Sequence, residues 1–221
     1  RRGTALGTGH ALAPPRVTRV SFIIPAYNEA ATIGEVLERV HALELDKQVV
    51  IVDDGSTDDT PRVIEEWAGR DGIQVIRQEN RGKGAAIRAA IPLLDGDIAV
   101  IQDADMEYDP AEVPELIEPI RRGAADVVFG SRLSGGRPQR AYLFWHLVGN
   151  RFLSLLTNVL YNTTLSDMET GYKAFRTEVL RSLDLREDDF AIEPEITAKV
   201  CKRNLRVYEL PISYYGRSYA E

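Results

Sequence analysis

The chain has 221 residues, 44% of them hydrophobic and 28% charged, and a net charge of −7. That length fits one domain with a full hydrophobic core and argues against two independent ones, while the acidic balance disfavours nucleic acid as a partner. A single cysteine, Cys201, and three scattered histidines, His10, His41 and His146, exclude an internal disulfide and a multi-cysteine metal site and argue against a histidine zinc site.

Residues 1–17, rich in Gly, Thr, Ala and Pro, are set aside as a mobile tail, and residues 18–221 are expected to form a single domain. Val20-Ser21-Phe22-Ile23-Ile24 is a short apolar run stopped by Pro25, the pattern of a buried strand. Residues 31–43 carry helical spacing, with Ile33, Val36, Leu37 and Val40 on one face. A second strand over 49–52 ends at Asp53-Asp54-Gly55-Ser56. Thr57 or Asp58 can then cap a helix that runs through Trp67, with Pro61 in its first turn. A strand over 73–76, a helix over 84–94 and a strand over 98–101 follow, the last running into Gln102-Asp103-Ala104-Asp105. A helix over about 110–121 and a strand over 126–129 complete this part.

Strands alternating with helices predict right-handed crossovers and an α/β fold, with a mostly parallel central sheet flanked by helices in a Rossmann-like layering. In such sheets ligands bind beyond the carboxyl ends of the strands. Three polar clusters fall there: Tyr27-Asn28-Glu29, Asp53 to Ser56, and Asp103 to Glu107.

After Ser134-Gly135-Gly136-Arg137-Pro138 the character changes. A long apolar helix is expected over 142–161, buried in the core, with skimming of a bilayer as the alternative. A short strand near Ala174 and Phe175, a helix near 194–201 and an apolar–polar alternation over 205–212 close the chain. The nucleotide-binding part is placed at about 18–131 and the acceptor part at about 132–221.

Asp103 and Asp105 set two carboxylates two residues apart at a strand end, with Glu107 a further two along. Hard oxygen ligands suit Mg²⁺ or Mn²⁺, which keep open positions for phosphate oxygens. A bare D-x-D arises often by chance, so its place beside two other polar strand ends carries the reading. Asp53 and Asp54 can accept from a base N–H or ribose hydroxyls, and Gly55 permits a tight turn. Arg81-Gly82-Lys83-Gly84 opens a helix, so backbone amides and Lys83 can face a diphosphate. It lacks P-loop spacing, and no G-x-G-x-x-G follows the first strand, which argues against an ATPase and a dehydrogenase. Arg132, Arg137, Arg140, Arg151 and Arg217 offer guanidinium groups for phosphate recognition. Asp167, Glu169, Glu193 and Glu195 are candidate acid/base groups, with helix-cap and surface roles as the alternative.

In these residues the chain resembles the family 2 inverting glycosyltransferases, and within them the dolichyl- or polyprenyl-phosphate sugar synthases. The resemblance rests on motifs in order: Ile24-Pro25-Ala26-Tyr27-Asn28-Glu29, Val52 to Asp58, Arg81 to Gly84, Gln102 to Asp105, Gly130-Ser131-Arg132, and Glu169 to Phe175. It implies a GT-A type nucleotide-sugar-binding fold. Pro25, Ala26, Tyr27, Asn28 and Glu29 would line the base and ribose pocket with Asp53, Asp54 and Gly55, and Lys83, Asp103 and Ala104 would complete the nucleotide site. Asp103, Asp105 and Glu107 would hold Mg²⁺ or Mn²⁺. Arg132, Arg151 and Arg217 look like the arginines that hold acceptor and donor phosphates, and Asp167 like the carboxylate placed near the acceptor in a positioning or base role.

The implied partners are a nucleotide-sugar donor, with a UDP-glucose type favoured over GDP-mannose, and a polyprenyl-phosphate acceptor, with peripheral membrane contact left open. A soluble hydroxyl acceptor is the second enzymatic reading; a nucleotidyltransferase or a non-catalytic nucleotide-sugar sensor are readings of another class. With no apolar run of membrane-spanning length and no signal peptide, a cytoplasmic site is expected, at the cytoplasmic face of a membrane if the acceptor is a lipid.

Overall fold

The structure is a computed structural model that describes residues 18–138, 140 and 144–216. The expected tail over 1–17 and the residues after 216 lie outside them. The strands are β1 (Val20–Ala26), β2 (Lys47–Asp53), β3 (Ile73–Arg77), β4 (Ile98–Ile101), β5 (Val127–Ser131), β6 (Lys173–Arg176) and β7 (Val207–Pro211). They form one sheet in the order β3-β2-β1-β4-β6-β5-β7. All neighbours pair in parallel except at β6, which runs against both β4 and β5. The sheet therefore runs without a break from the strands of residues 18–131 into those of residues 132–216.

Apolar strands need cover on both faces, and the helices supply it. Helices α1 (Ile33–Ala42), α2 (Thr60–Glu65), α4 (Val113–Leu116) and α5 (Glu118–Arg121) contribute Ile33, Val36, Ile64, Val113 and Ile120 to one buried cluster. On the other face α3 (Lys83–Ala90), α7 (Thr177–Ser182) and α8 (Ile192–Lys202) contribute Ala86, Ile87, Leu180, Ile192 and Ile196. Cys201 is half-buried against this second cluster.

Several boundaries differ from the sequence reading for identifiable reasons. Strand β1 runs past Pro25 to Ala26 because its pairing with β4 ends at Ile23, leaving an open edge there where a missing N–H costs no ladder bond. The helix expected over 110–121 is broken into a 3₁₀ turn at Pro110–Glu112 and two single turns, with Pro114 and Pro119 near their starts. Helix α2 stops at Glu65, short of Trp67, and its N-cap is Asp59; Asp58 accepts from Thr60 N at 2.9 Å and Ala30 N at 3.2 Å.

The largest departure is α6 (Phe144–Tyr161). Its expected burial in the core is wrong. The buried residues of this helix are Asn150, Ser154 and Thr157, while Trp145, Phe152 and Val159 face solvent.

Candidate functional site

The chain leaves β1 toward β2 and β3 on one side and returns as β4 on the other, so a crevice opens between the carboxyl ends of β1 and β4. The crevice holds a cavity of about 350 Å³ lined by Pro25, Ala26, Tyr27, Glu29, Asp54, Asn80, Gly82, Lys83, Ala86, Asp103, Ala104, Asp105, Asp189 and Phe190. Its size is that of a small-molecule site. All three polar strand ends read from the sequence reach it.

Two neighbours set the Asp103 turn. Gln102, fully buried, donates from Nε2 to the carbonyls of Asp103 and Tyr108, both at 3.2 Å, and closes the loop beyond β4. Thr32 Oγ1 donates to Ala104 O at 2.8 Å, tying the turn to the start of α1. Lys83 Nζ lies 2.7 Å from Asp103 Oδ1 and 3.4 Å from Glu193 Oε1. Burial opposes its charge, but Asp103 and Glu193 outweigh that and raise its pKa, so the pocket floor carries a fixed ammonium. Glu193 also holds the buried Lys173, at 2.5 Å.

Not every residue expected at the nucleotide lines this cavity. Asp54 does, but it is also a structural brace: it accepts from Gln78 Nε2, Arg81 N and Gly82 N at 2.6, 3.0 and 2.8 Å. The amides of Arg81 and Gly82, expected to face a diphosphate, are thus turned to Asp54. Asp53, Gly55 and Asn28 do not line it. Asp53 accepts from Ser56 N within its own turn. Gly55, at φ 75°, passes so close to Asn80 that a Cβ would lie 2.6 Å from Asn80 N. Asn28 accepts from Thr57 N at 2.8 Å and joins the first two loops.

Asp189 and Phe190 also line the cavity, although neither follows a strand end. The segment ahead of α8 lies on the start of α3, where Ala85 N donates to Asp188 O at 2.9 Å. Arg88 adds bonds to Glu187 O and the Asp188 carboxylate. A Cβ on Gly82 would sit 2.3 Å from Asp189 Oδ1, and one on Gly84 would sit 2.3 Å from Glu187 O. The two glycines flanking Lys83 are what admit this wall of the pocket.

Asp103 and Asp105 both face the cavity, whereas Glu107 does not line it: its carboxylate accepts the Tyr214 hydroxyl at 2.9 Å. Among the described residues no three His, Cys, Asp or Glu side chains gather into a metal-binding group. Two carboxylates on an open pocket still fit Mg²⁺ or Mn²⁺, since such ions are commonly held by one or two carboxylates with substrate phosphates and water supplying the rest.

Farther along the chain, Arg132 and Asp167 form a buried pair. Arg132 donates to Asp167 from Nε at 2.7 Å, Nη2 at 2.9 Å and its backbone N at 3.0 Å. Asn150 of α6 adds a bond at 2.7 Å to the same carboxylate. Burial pushes the Asp167 carboxyl up, but these hydrogen bonds prevail and hold its pKa below the ordinary value. The Arg132 guanidinium also lies over the Tyr214 ring, 5.2 Å from its centroid. Burial raises the pKa of Glu169, whose Oε1 is buried without a hydrogen-bond partner. Glu195 is structural, accepting from Arg186 N and Glu187 N and pairing with Lys199. Arg137 pairs with Glu115 and Arg140 donates to Gly216 O. Arg151 is exposed on α6 and does not join Arg132, and Arg217 lies outside the described residues.

Residues 21–184 match the family model described as glycosyl transferase family 2. The low-salt glycan biosynthesis hexosyltransferase Agl6 of Haloferax volcanii is 32% identical over 90% of this chain and 48% of its own length. A dolichol-phosphate mannosyltransferase of Pyrococcus furiosus is 31% identical over 92% of this chain and 58% of its own. The chain thus spans about half the length of these relatives. Glucosyl-3-phosphoglycerate synthase of Mycobacterium tuberculosis, solved with Mn²⁺, UDP and glucosyl-3-phosphoglycerate, shares the fold: the TM-score is 0.70 at 22% identity, over 92% of this chain and 74% of that one.

Proposed function

The chain belongs to glycosyl transferase family 2, and on that premise we propose that it moves a hexose from a nucleotide-sugar donor to a polyprenyl phosphate, with inversion. The observation that carries the donor half is the single cavity uniting Tyr27, Lys83, Asp103 and Asp105 at adjacent strand ends. Pro25, Ala26 and Tyr27 form an apolar wall for a base, and Lys83 offers a positive charge to a diphosphate. A divalent ion held by Asp103 and Asp105 would neutralise charge on the departing diphosphate. A UDP-sugar is the favoured donor, in keeping with the UDP bound in the glucosyl-3-phosphoglycerate synthase of the same fold. GDP-mannose is the competing donor, in keeping with the mannosyltransferase name of the Pyrococcus relative.

The acceptor half rests on the state of Asp167. A carboxylate saturated by Arg132 and Asn150 and held at low pKa is a poor general base. It is suited instead to fixing Arg132. A phosphate acceptor needs no base, because its oxygen is already anionic at neutral pH. In the proposed step an acceptor phosphate oxygen attacks the anomeric carbon, and the bond to the diphosphate breaks with its electron pair leaving on the diphosphate. No proton moves. A hydroxyl acceptor would have to lose one during attack.

A thermal-shift panel of UDP-glucose, UDP-N-acetylglucosamine, UDP-galactose and GDP-mannose, each with Mn²⁺ and with EDTA, tests the donor site. A ligand that binds only the folded state raises the melting temperature, so one donor with Mn²⁺ should give a shift that EDTA removes. Folded protein with no shift for any donor would overturn the reading.

A further inference from the structure

Helix α6 is amphipathic in the reverse sense. At about 100° per residue, Asn150, Ser154 and Thr157 form its inward stripe, while Trp145, Phe152, Leu155, Leu156, Val159 and Leu160 spread over the opposite half-cylinder. Nine large apolar side chains of this helix are exposed, from 39% at Leu153 to 77% at Trp145. Taking about 150–250 Å² for each large side chain, the exposed fractions sum to on the order of 1,000 Å². The largest apolar patch on an ordinary monomer is about 300–600 Å². Among the described residues no helix is long and apolar enough to cross a membrane.

We infer that this face of α6 lies flat in the surface of a phospholipid bilayer and presents the acceptor site to lipid phosphates in that bilayer. The inference rests on the proposed lipid-phosphate acceptor and names the element that meets the lipid. Two features favour a bilayer over a protein partner. The first is continuity with the acceptor pair: the inward stripe of the same helix holds Asp167 through Asn150, and Asp167 holds Arg132. A helix is about 10–12 Å across, and interfacial helices sink their apolar face roughly 5–10 Å into the headgroup and acyl boundary. The Arg132–Asp167 pair then stands at headgroup level, where a lipid phosphate sits. The second is charge. The chain carries −7 overall, yet the eighteen residues of α6 include no Asp or Glu, and Arg151 is exposed at the margin of the apolar face. That pattern tolerates anionic headgroups.

The two tryptophans make the test direct, because Trp145 is on this face and Trp67 is in the core, 6% exposed. Sonicated vesicles of phosphatidylcholine and phosphatidylglycerol, free of polyprenyl phosphate, are mixed with the protein and followed by co-sedimentation and tryptophan emission. The protein should sediment with vesicles, and its emission should shift to the blue through Trp145. The triple variant Phe152→Ser, Leu156→Ser, Val159→Ser should keep its melting temperature, since none of the three is buried. It should lose at least about tenfold in partition, the effect of denying one such side chain a lipid contact. Absence of sedimentation, sedimentation unchanged by the triple variant, or a wild-type dimer that the triple variant converts to monomer would overturn the inference. Sugar transfer to detergent-dispersed polyprenyl phosphate is measured in parallel. Transfer without vesicle binding would leave the proposed function standing and remove the membrane surface. Vesicle binding without transfer would leave α6 as a membrane-lying face but overturn both the proposed function and the presentation of an acceptor site to lipid phosphates.

Discussion

Replacing Gly84 by alanine probes how the segment carrying Asp189 and Phe190 walls the pocket. The added Cβ would lie 2.3 Å from Glu187 O and 2.9 Å from Asp188 O, both backbone atoms, so the segment carrying Asp189 and Phe190 must retreat by about 1 Å to reach ordinary contact. Retreat breaks the Ala85 N to Asp188 O bond, worth about 1 kcal/mol net. The overpacking itself costs roughly 1–3 kcal/mol. The expected loss is about 2–4 kcal/mol, or roughly 5–15 °C in melting temperature for a domain of this size. Donor binding should weaken as well, because Asp189 and Phe190 withdraw from the cavity and Lys83 sits beside the altered residue. The assay is differential scanning fluorimetry with and without nucleotide-sugar and Mn²⁺. Gly149→Ala is the control: nothing lies within 4 Å of its added Cβ, and an alanine inside a helix should stabilise by about 0.5–1 kcal/mol. An unchanged melting temperature and donor response in Gly84→Ala would refute the idea that residues 187–190 are seated on α3.

Three further outcomes are expected. Asp103→Asn should reduce transfer about 100-fold or more, the scale of losing one group that stabilises developing charge, and should abolish the Mn²⁺-dependent part of the donor thermal shift. Arg132→Ala leaves the Asp167 carboxylate buried without its main partner and should cost about 3–5 kcal/mol in urea unfolding; Arg132→Lys should recover only part of this, because an ammonium does not reproduce the two-pronged bond. Asp126, which joins β5 to Arg206 just ahead of β7, has its carboxyl pulled from 3.8 to about 2, chiefly by the Arg206 hydrogen bond. A depressed folded pKa gives stability that is full above the ordinary aspartate value and fades as pH falls through about 2. The stability gap between wild type and Asp126→Asn, on the order of 1–2 kcal/mol after solvent screening, should therefore close between pH 4 and pH 2 in pH-dependent thermal melts.

Much of this site is legible along the chain because its parts sit at the ends of short apolar strands. Ile98–Ile101 is found where the residues predict it, and Tyr27, Asp54 and Asp103 follow from the same logic of polar residues after buried strands. Asp189 and Phe190 escape that logic, for they reach the pocket from about a hundred residues away through a backbone contact. Gly82 and Gly84 on either side of Lys83 were the available signal, since glycines there mark a close backbone approach. Glu107 is expected with the metal carboxylates from its spacing and from the family resemblance. The aromatic packing of Tyr108, Tyr172 and Tyr214 brings a hydroxyl to it instead, and no local pattern encodes that. In α6 the apolar content suggested a core helix. The polar stripe Asn150, Ser154, Thr157 at helical spacing was equally readable, and only the structure shows that the stripe faces inward.

The most direct test of the central claim is transfer itself. Protein is incubated with radiolabelled UDP-glucose or GDP-mannose, Mn²⁺ and a short-chain polyprenyl phosphate in detergent, and the label is followed into the organic phase. The account predicts label in a polyprenyl-phosphate sugar with one of the two donors, lost with EDTA and in Asp103→Asn. Label that stays aqueous, as free sugar or on a hydroxyl acceptor supplied in parallel, would contradict it.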